Sequence, residues 1–303
     1  MTVDSTPPEL DGIEVESEAT DLSSEVRSFG ATDGWPEGYV YAATGYADVI
    51  LREAFPERFA DLIGALDSFH PTLTELRSGG GGRTVFVKRF DDSLEATKQD
   101  GADVWRKRNI EIEKFIKLDA ITAKATKTRD HEIDMFGVGT LEVPIPGIAV
   151  EMEWNNKDPF YDRDLISFQA LYQEGAIAIG VIVTRGPGLQ RVISSTIQSK
   201  DGGYKYGQST THWDKLIPRV NLGGGGGCPL ILIGIEAERV EGIELAQQVK
   251  AEMQAAEEFR LNWRQFHGTW AEASVVHREL LKTARAAMPP LTEAKSLDED
   301  ESV

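Results

Sequence analysis

The stretch GIAVEMEWNNKD, residues 147–158, begins apolar and then sets Glu151 and Glu153 two residues apart, followed by Trp154, two amides and Lys157. Side chains alternate along a strand, so a strand here turns both glutamates to one face and Met152 to the other. Asp134 stands 17 residues before Glu151, in the short apolar segment HEIDMFG. If the two segments pair as a hairpin, Asp134 joins the glutamates. Three carboxylates gathered in this way repel one another unless a divalent cation lies between them, and hard oxygen ligands suit Mg²⁺ or Mn²⁺. That is the ground plan of a metal-dependent phosphodiesterase, in which the cation polarises a phosphoryl oxygen and acidifies the attacking water. The plainer reading is an exposed edge strand whose glutamates face water. Context weighs against it: Ile148, Ala149 and Val150 precede the pair and a helix beginning near Asp162 follows, as around an active-site strand in a layered α/β fold.

The elements that must position these residues are read from periodicity. Apolar residues from Ala47 to Phe69 recur at helical spacing, with Pro56 marking a kink or a break. RSGGGGRTVFVKRF reads as a flexible glycine loop leading into a short strand or turn. NIEIEKFIKL alternates as a strand, with a helix from Val104 to Ile116 as the alternative. HEIDMFG and residues 147–154 read as strands, residues 162–174 as a helix, and AIAIGVIVTR as a buried strand. A helix over 210–220, the buried strand CPLILIGIE, and helices over 243–259 and 266–287 follow. This order predicts an α/β (α+β) fold with a central mixed sheet flanked by helices.

Composition bounds the rest. The 303 residues, 41% hydrophobic and 27% charged, suit a globular chain with a sizeable core, and no apolar run approaches the ~18 residues of a membrane helix. The acidic N-terminus lacks the pattern of a signal peptide and the single cysteine cannot form an internal disulfide, so the expected location is the cytoplasm. Residues 1–27 and 289–303 are polar, acidic and expected to be disordered tails, leaving 28–288 as one domain with its core at about 104–240. The net charge of −18 is concentrated in these tails, with −7 and −4 respectively. Trp105 to Arg129 carries +5 and Thr184 to Arg219 carries +4, basic stretches that read either as solvated faces or as a polyanion-binding surface.

HEIDMF, then GIAVEMEWNNKDPFYDRDLISFQALYQEGAIAIGVIVTRG, then YGQSTTHWDKLIPRVNLGGGGGCPLILIGIE resemble the core of the BglII/BstYI family of Type II restriction endonucleases, related to BamHI within the PD-(D/E)XK nuclease superfamily. The resemblance covers roughly residues 40–240 and is strongest over 131–235. It implies that Asp134 and Glu151 are metal ligands, joined by the backbone carbonyl of Met152. Glu153 stands where most of the superfamily has lysine, which leaves it between general base and second-metal ligand. An upstream glutamate sometimes completes such a site, and Glu113, Glu111 or Glu132 is available for that part. The implied reaction is Mg²⁺-dependent hydrolysis of double-stranded DNA, with Mn²⁺ able to substitute, giving 5′-phosphate and 3′-hydroxyl ends. Asn155, Asn156, Lys157 and Arg163 are placed to approach the scissile phosphate, or else simply face water beside a helix capped by Asp162. Base readout is expected from Arg185, Arg191, Lys200, Lys205 and STTHWDK with its His212 and Lys215, where Gly202 and Gly203 permit close approach. The resemblance also implies a homodimer, with the 162–174 helix as candidate contact or alternatively monomer core, and a partner DNA methyltransferase in a restriction–modification pair.

Other signals carry less. GGGGRT and GGGGGC lack the lysine and Ser/Thr of a phosphate-binding P-loop, His131-Glu132 lacks the second histidine of a zinc-protease motif, and Cys228 sits beside a buried strand as core. DPFY at 158–161 hints at a DNA methyltransferase without matching its motif, and a catalytically inactive DNA-binding relative of the nuclease fold is the other alternative.

Overall fold

The computed structural model of the chain describes residues 26–30, 34–78, 84–127, 131–199 and 202–288. The strands are β1 (Arg27–Phe29), β2 (Tyr39–Ala43), β3 (Lys98–Gln99), β4 (Ala102–Asp103), β5 (Trp105–Ile110), β6 (Glu113–Leu118), β7 (Ile121–Lys127), β8 (His131–Gly137), β9 (Gly147–Glu153), β10 (Ile177–Arg185) and β11 (Leu230–Ile235). The helices are α1 (Ala47–Ala54), α2 (Pro56–Ser68), α3 (Leu73–Arg77), α4 (Val85–Glu95), α5 (Phe160–Gln173), α6 (Pro187–Thr196), α7 (Trp213–Asn221), α8 (Ile243–Leu261) and α9 (Trp270–Ala286).

Isoleucine and valine fill β9, β10 and β11 because these strands are covered on both faces and pair in parallel, the arrangement that demands helical crossovers. The helix α5 makes one crossover, and α6 with α7 makes the next. Antiparallel neighbours flank this trio, giving a seven-stranded mixed sheet in the order β1-β2-β11-β10-β9-β8-β5. Gly180 in β10 is what lets α5 sit down on the sheet: a Cβ there would meet Phe168 Cδ2 at 2.3 Å. The two remaining ladders, β3 with β4 and β6 with β7, are separate two-stranded ribbons.

The mixed α/β architecture, the β8–β9 hairpin pairing and the break at Pro56 agree with the sequence reading. Four expectations need correction. VFVKRF is not a strand or turn; it opens α4, because Phe86, Val87, Phe90 and Leu94 bury one helical face against α2, β5 and β8. NIEIEKFIKL divides at Glu111 and Ile112, where β5 stops pairing with β8 and β6 leaves the sheet to pair with β7. The helix expected from Thr210 begins at Trp213, since Arg185 holds Thr210 and Thr211 in an extended segment. The last helix begins at Trp270 rather than Phe266, capped by the Thr269 side chain.

Val26 is buried and Arg27 opens β1, so the end of the expected N-terminal tail belongs to the fold. Residues 1–25 and 289–303, the glycines of GGGGRT and Lys200 lie outside the described residues. The second glycine run forms a hydrogen-bonded turn after α7, with positive φ at Gly223, Gly225 and Gly226. No helix among the described residues is long and apolar enough to cross a membrane.

Candidate active site

Strand register decides which side chains meet. Ile182 of β10 lies beside Glu151 of β9, and Thr184 beside Glu153. On the other flank Met135 of β8 lies opposite Val150, so the same antiparallel register carried one residue further sets Asp134 opposite Glu151. The backbone N–H of Asp134 donates to Glu151 Oε1 at 3.3 Å. Asp134, Glu151 and Glu153 therefore share the sheet face on which α5 packs, while Met152 faces the other way.

The helix adds a carboxylate that sequence reasoning passed over. Asp164 is 4% exposed, its Oδ1 accepts from Arg163 Nε at 2.8 Å, and its buried Oδ2 has no hydrogen-bond partner. Glu153, 3% exposed, accepts from Asn156 Nδ2 at 2.7 Å and from Arg163 Nη2 at 3.4 Å. The Arg163 guanidinium lies over the Phe160 ring, 4.7 Å from its centroid, so one half-exposed cation spans Glu153 and Asp164. The end of β9 is also pinned from β10: Thr184 Oγ1 donates to the Glu153 carbonyl at 2.7 Å and sits 2.6 Å from the Tyr161 hydroxyl.

Burial and mutual repulsion set the protonation. Burial, the Asp134 charge and the Asp164 charge hold the Glu151 carboxyl well above the usual carboxylate range. Glu153 and Asp164 are raised as a pair, first by burial; the Asp164 charge adds to the rise at Glu153, and Arg163 opposes it at Asp164. Such a cluster gains from anything that supplies positive charge.

Asp134, Glu153, Asn155, Asn156, Arg163 and Lys205 line one cleft of about 510 Å³, together with Thr84, Lys107, Trp154, Phe160 and Tyr206. The other residues expected at DNA part company here. Lys157 is exposed next to the cleft lining, and Lys215 is half-buried on α7, outside it. Arg185 does not face solvent: it is fully buried, its Nη1 donates to Gln190 Oε1, its Nε and Nη2 to the Thr211 carbonyl, and its plane lies over Tyr206. His212 is likewise buried, and burial with the nearby Arg185 charge pushes its pKa down. The Arg185 hydrogen bonds brace the loop before α7, and both side chains are buried away from solvent. Lys205 is half-buried, donating from Nζ to the Leu76 and Ser78 carbonyls at 2.9 and 2.5 Å, and burial lowers its pKa to about 8.

Glu113 is not brought to this cleft. It lies exposed on the β6–β7 ribbon with Lys127 as its cross-strand partner, and Glu111 forms an ion pair with the same lysine. Glu132 is exposed and pairs with Lys107 at 2.8 Å. Asp162 caps nothing; Pro159 occupies the N-cap of α5, and Asp162 accepts from Arg219 Nε at 2.9 Å. In the DRD triplet it is the second aspartate, two residues further on, that turns inward. The helical spacing that buries Tyr161, Leu165 and Phe168 also carries Asp164 to the sheet, which is the signal that could have found it.

A mixed sheet between helices, with buried carboxylates at the C-terminal end of β9, one of its three parallel strands, fits a restriction-endonuclease-like fold. Residues 39–235 match the family model described as restriction endonuclease BglII/BglIII, and the chain belongs to that family. Its enzymes are Type II site-specific deoxyribonucleases, and DNA is the partner that membership implies. No curated protein matches the chain. The matched span runs from the start of β2 to the end of β11 and contains every residue of the cleft; α8 and α9 lie beyond it.

Proposed function

We propose that the chain hydrolyses double-stranded DNA in a Mg²⁺-dependent, sequence-specific reaction at a PD-(D/E)XK-type site, with Mn²⁺ able to substitute. The observation that carries this reading is the pairing of Asp134 with Glu151 across two strands, where Asp134 lines a cleft inside the family match and Glu151 lies buried behind it. Among the described residues no three His, Cys, Asp or Glu side chains are arranged as a ready metal cage. Mg²⁺ does not need one: it is commonly held by one or two carboxylates, with water and substrate phosphate completing its shell. Asp134, Glu151 and the Met152 carbonyl fit that donor set, and the raised Glu151 pKa and the unpartnered Asp164 Oδ2 mark where positive charge is wanted. When bound, the cation supplies charge neutralisation at the phosphoryl group and acidifies water.

The chain's own groups do the rest. Glu153, oriented by Asn156 and Arg163, takes the proton of the attacking water. Arg163, with its outer edge in solvent, meets a phosphate oxygen and stabilises charge as it develops. Asn155, Asn156 and Lys157 extend the same polar rim along the backbone. Attack in line with the 3′ oxygen leaves a 5′-phosphate and a 3′-hydroxyl. Cutting both strands of a symmetric site calls for two copies related by a two-fold axis, so the working form is a homodimer, paired in the cell with a DNA methyltransferase that protects the host sites. Of the apolar residues on α5, Leu165, Phe168 and Leu171 are spent on the monomer core, and Ile166 is left exposed as an apolar point of contact for a second copy.

The test is incubation of the purified chain with varied unmodified duplex DNA, with and without Mg²⁺. Discrete fragments bearing 5′-phosphate ends are expected only with the cation. Intact DNA under all conditions, or Asp134→Ala and Glu151→Ala chains that cut as fast as the parent, would sink the assignment.

A further inference from the structure

The basic stretch that runs from Trp105 is not absorbed by the cleft. Much of it forms β6 and β7, which pair only with each other, and every residue of β6 is exposed. Phe115, Ile116, Leu118 and Ile121 are all more than half exposed, at 56%, 54%, 66% and 73%. A two-stranded ribbon is marginally stable at best by itself in water, and exposed apolar side chains on both of its faces need a surface to lie on.

Its place in the fold says what that surface is. The β5–β8 ladder ends at Ile110 opposite His131, and from that end the chain passes through Glu111 and Ile112 into β6, whose partner β7 precedes β8 in the sequence. Asp134 is three residues inside that exit, and Glu153 lies at the same end of the sheet because β9 runs antiparallel to β8. The ribbon therefore leaves the sheet at the end where the cleft opens. Residues 113–127 hold four lysines against Glu113 and Asp119. Lys114 is tied to Glu174 and Lys127 to Glu111, whereas Lys117 and Lys124 have no carboxylate partner among the described residues. Behind them on β5, Arg106, Lys107 and Arg108 are exposed as well.

We propose that β6 and β7 form a DNA-binding arm, a ribbon that lies in a groove of the duplex beside the scissile bond and holds its phosphates through Lys117 and Lys124. The major groove admits a two-stranded ribbon, and lysines on both strands match the phosphate walls of a groove. The apolar residues between them lie against sugars and base edges. A second copy of the chain is the other surface open to such a ribbon; the unpaired lysines and the exit beside the cleft favour DNA. The inference rests on the nuclease reading for its substrate, and it adds a binding surface outside the carboxylate cluster.

The test compares the full-length chain with its Lys117→Ala/Lys124→Ala variant and with a chain in which residues 113–127 are replaced by a short turn. Binding to a fluorescent duplex of mixed sequence is followed by anisotropy in EDTA across a salt series, and mass by sedimentation. Loss of two phosphate contacts is expected to weaken binding about tenfold at moderate salt and to flatten the slope of log K against log salt by about 2. The shortened chain should lose more affinity at unchanged mass. An unchanged salt slope in the double variant overturns the arm, as does a shortened chain that falls to half the parent mass while binding DNA as before. Cleavage by the parent in Mg²⁺ is scored separately. A parent that fails to cut but shows the altered slope on mutation retains the arm and loses the hydrolytic reading, and the converse result does the reverse.

Discussion

Two buried charged clusters stand side by side at the ends of β9 and β10, and they are built on opposite principles. On one face of the sheet Glu151, Glu153 and Asp164 are nearly inaccessible, the last two share one arginine, and Asp164 Oδ2 is left without a hydrogen-bond partner. On the other face Arg185 is equally buried, yet its donors end on Gln190, Thr210 and Thr211 and its plane rests on Tyr206. The arginine is complete within the chain. The acids are not, since Asp164 Oδ2 is left without a hydrogen-bond partner. Burial of a charge therefore does not by itself mark function.

That contrast can be broken at either cluster. The largest effect is expected from Glu151→Gln or Asp134→Asn, which should lower the Mg²⁺-dependent rate of plasmid cleavage roughly a thousandfold while leaving thermal unfolding almost unmoved. Arg185→Ala should do the opposite. With the Thr211 carbonyl and Gln190 left without their donor, urea unfolding should show a loss of about 3 kcal/mol, and at a temperature where the variant is folded its affinity for duplex DNA should match the parent's. A loss of DNA binding without a loss of stability would return Arg185 to the DNA surface.

Asp164→Asn sharpens the comparison from the acid side. Replacing one of three crowded carboxyls with a neutral amide should raise stability in EDTA by about 1 kcal/mol, read as a higher melting temperature, and still depress cleavage. The effect at Lys205 is confined to alkaline pH. Its folded pKa of about 8 lies below the ordinary 10.5, so between those values the unfolded chain binds more protons and stability rises with pH; below pH 8 both states are charged and the gain is absent. Lys205→Met should remove that rise from a pH series of unfolding midpoints.

The sequence disclosed these regions unevenly, for physical reasons. The strands β9 to β11 were legible because each carries an apolar run of strand length, and α5 because its apolar residues recur at helical spacing. Asp134, Glu151 and Glu153 followed, since alternation on a strand fixes which residues share a face. The helix α4 was hidden by its β-branched start, Val85-Phe-Val, which packing against the sheet overrides. The helix α6 was hidden inside a stretch read for its charge, although Leu189, Val192 and Ile193 lie on one side of it. Arg185 and His212 were misplaced because residue type announces a charge but not the partners that bury it. Asp164 was overlooked beside Asp162 because the choice between a capping and an inward aspartate depends on where α5 starts, and Pro159 moves that start toward the N-terminus.

Gly180 carries a consequence for the spacing of the acids. The space it leaves for the Phe168 ring fixes how deeply α5 is seated, and Asp164 lies one helical turn before that ring. Glu151 and Glu153 ride on the strand directly beside Gly180, so the missing methyl group acts as a gauge block between two rigid bodies whose separation is the width of the carboxylate cluster. A side chain at position 180, though outside the cleft lining, would reset that width without altering any residue that meets substrate.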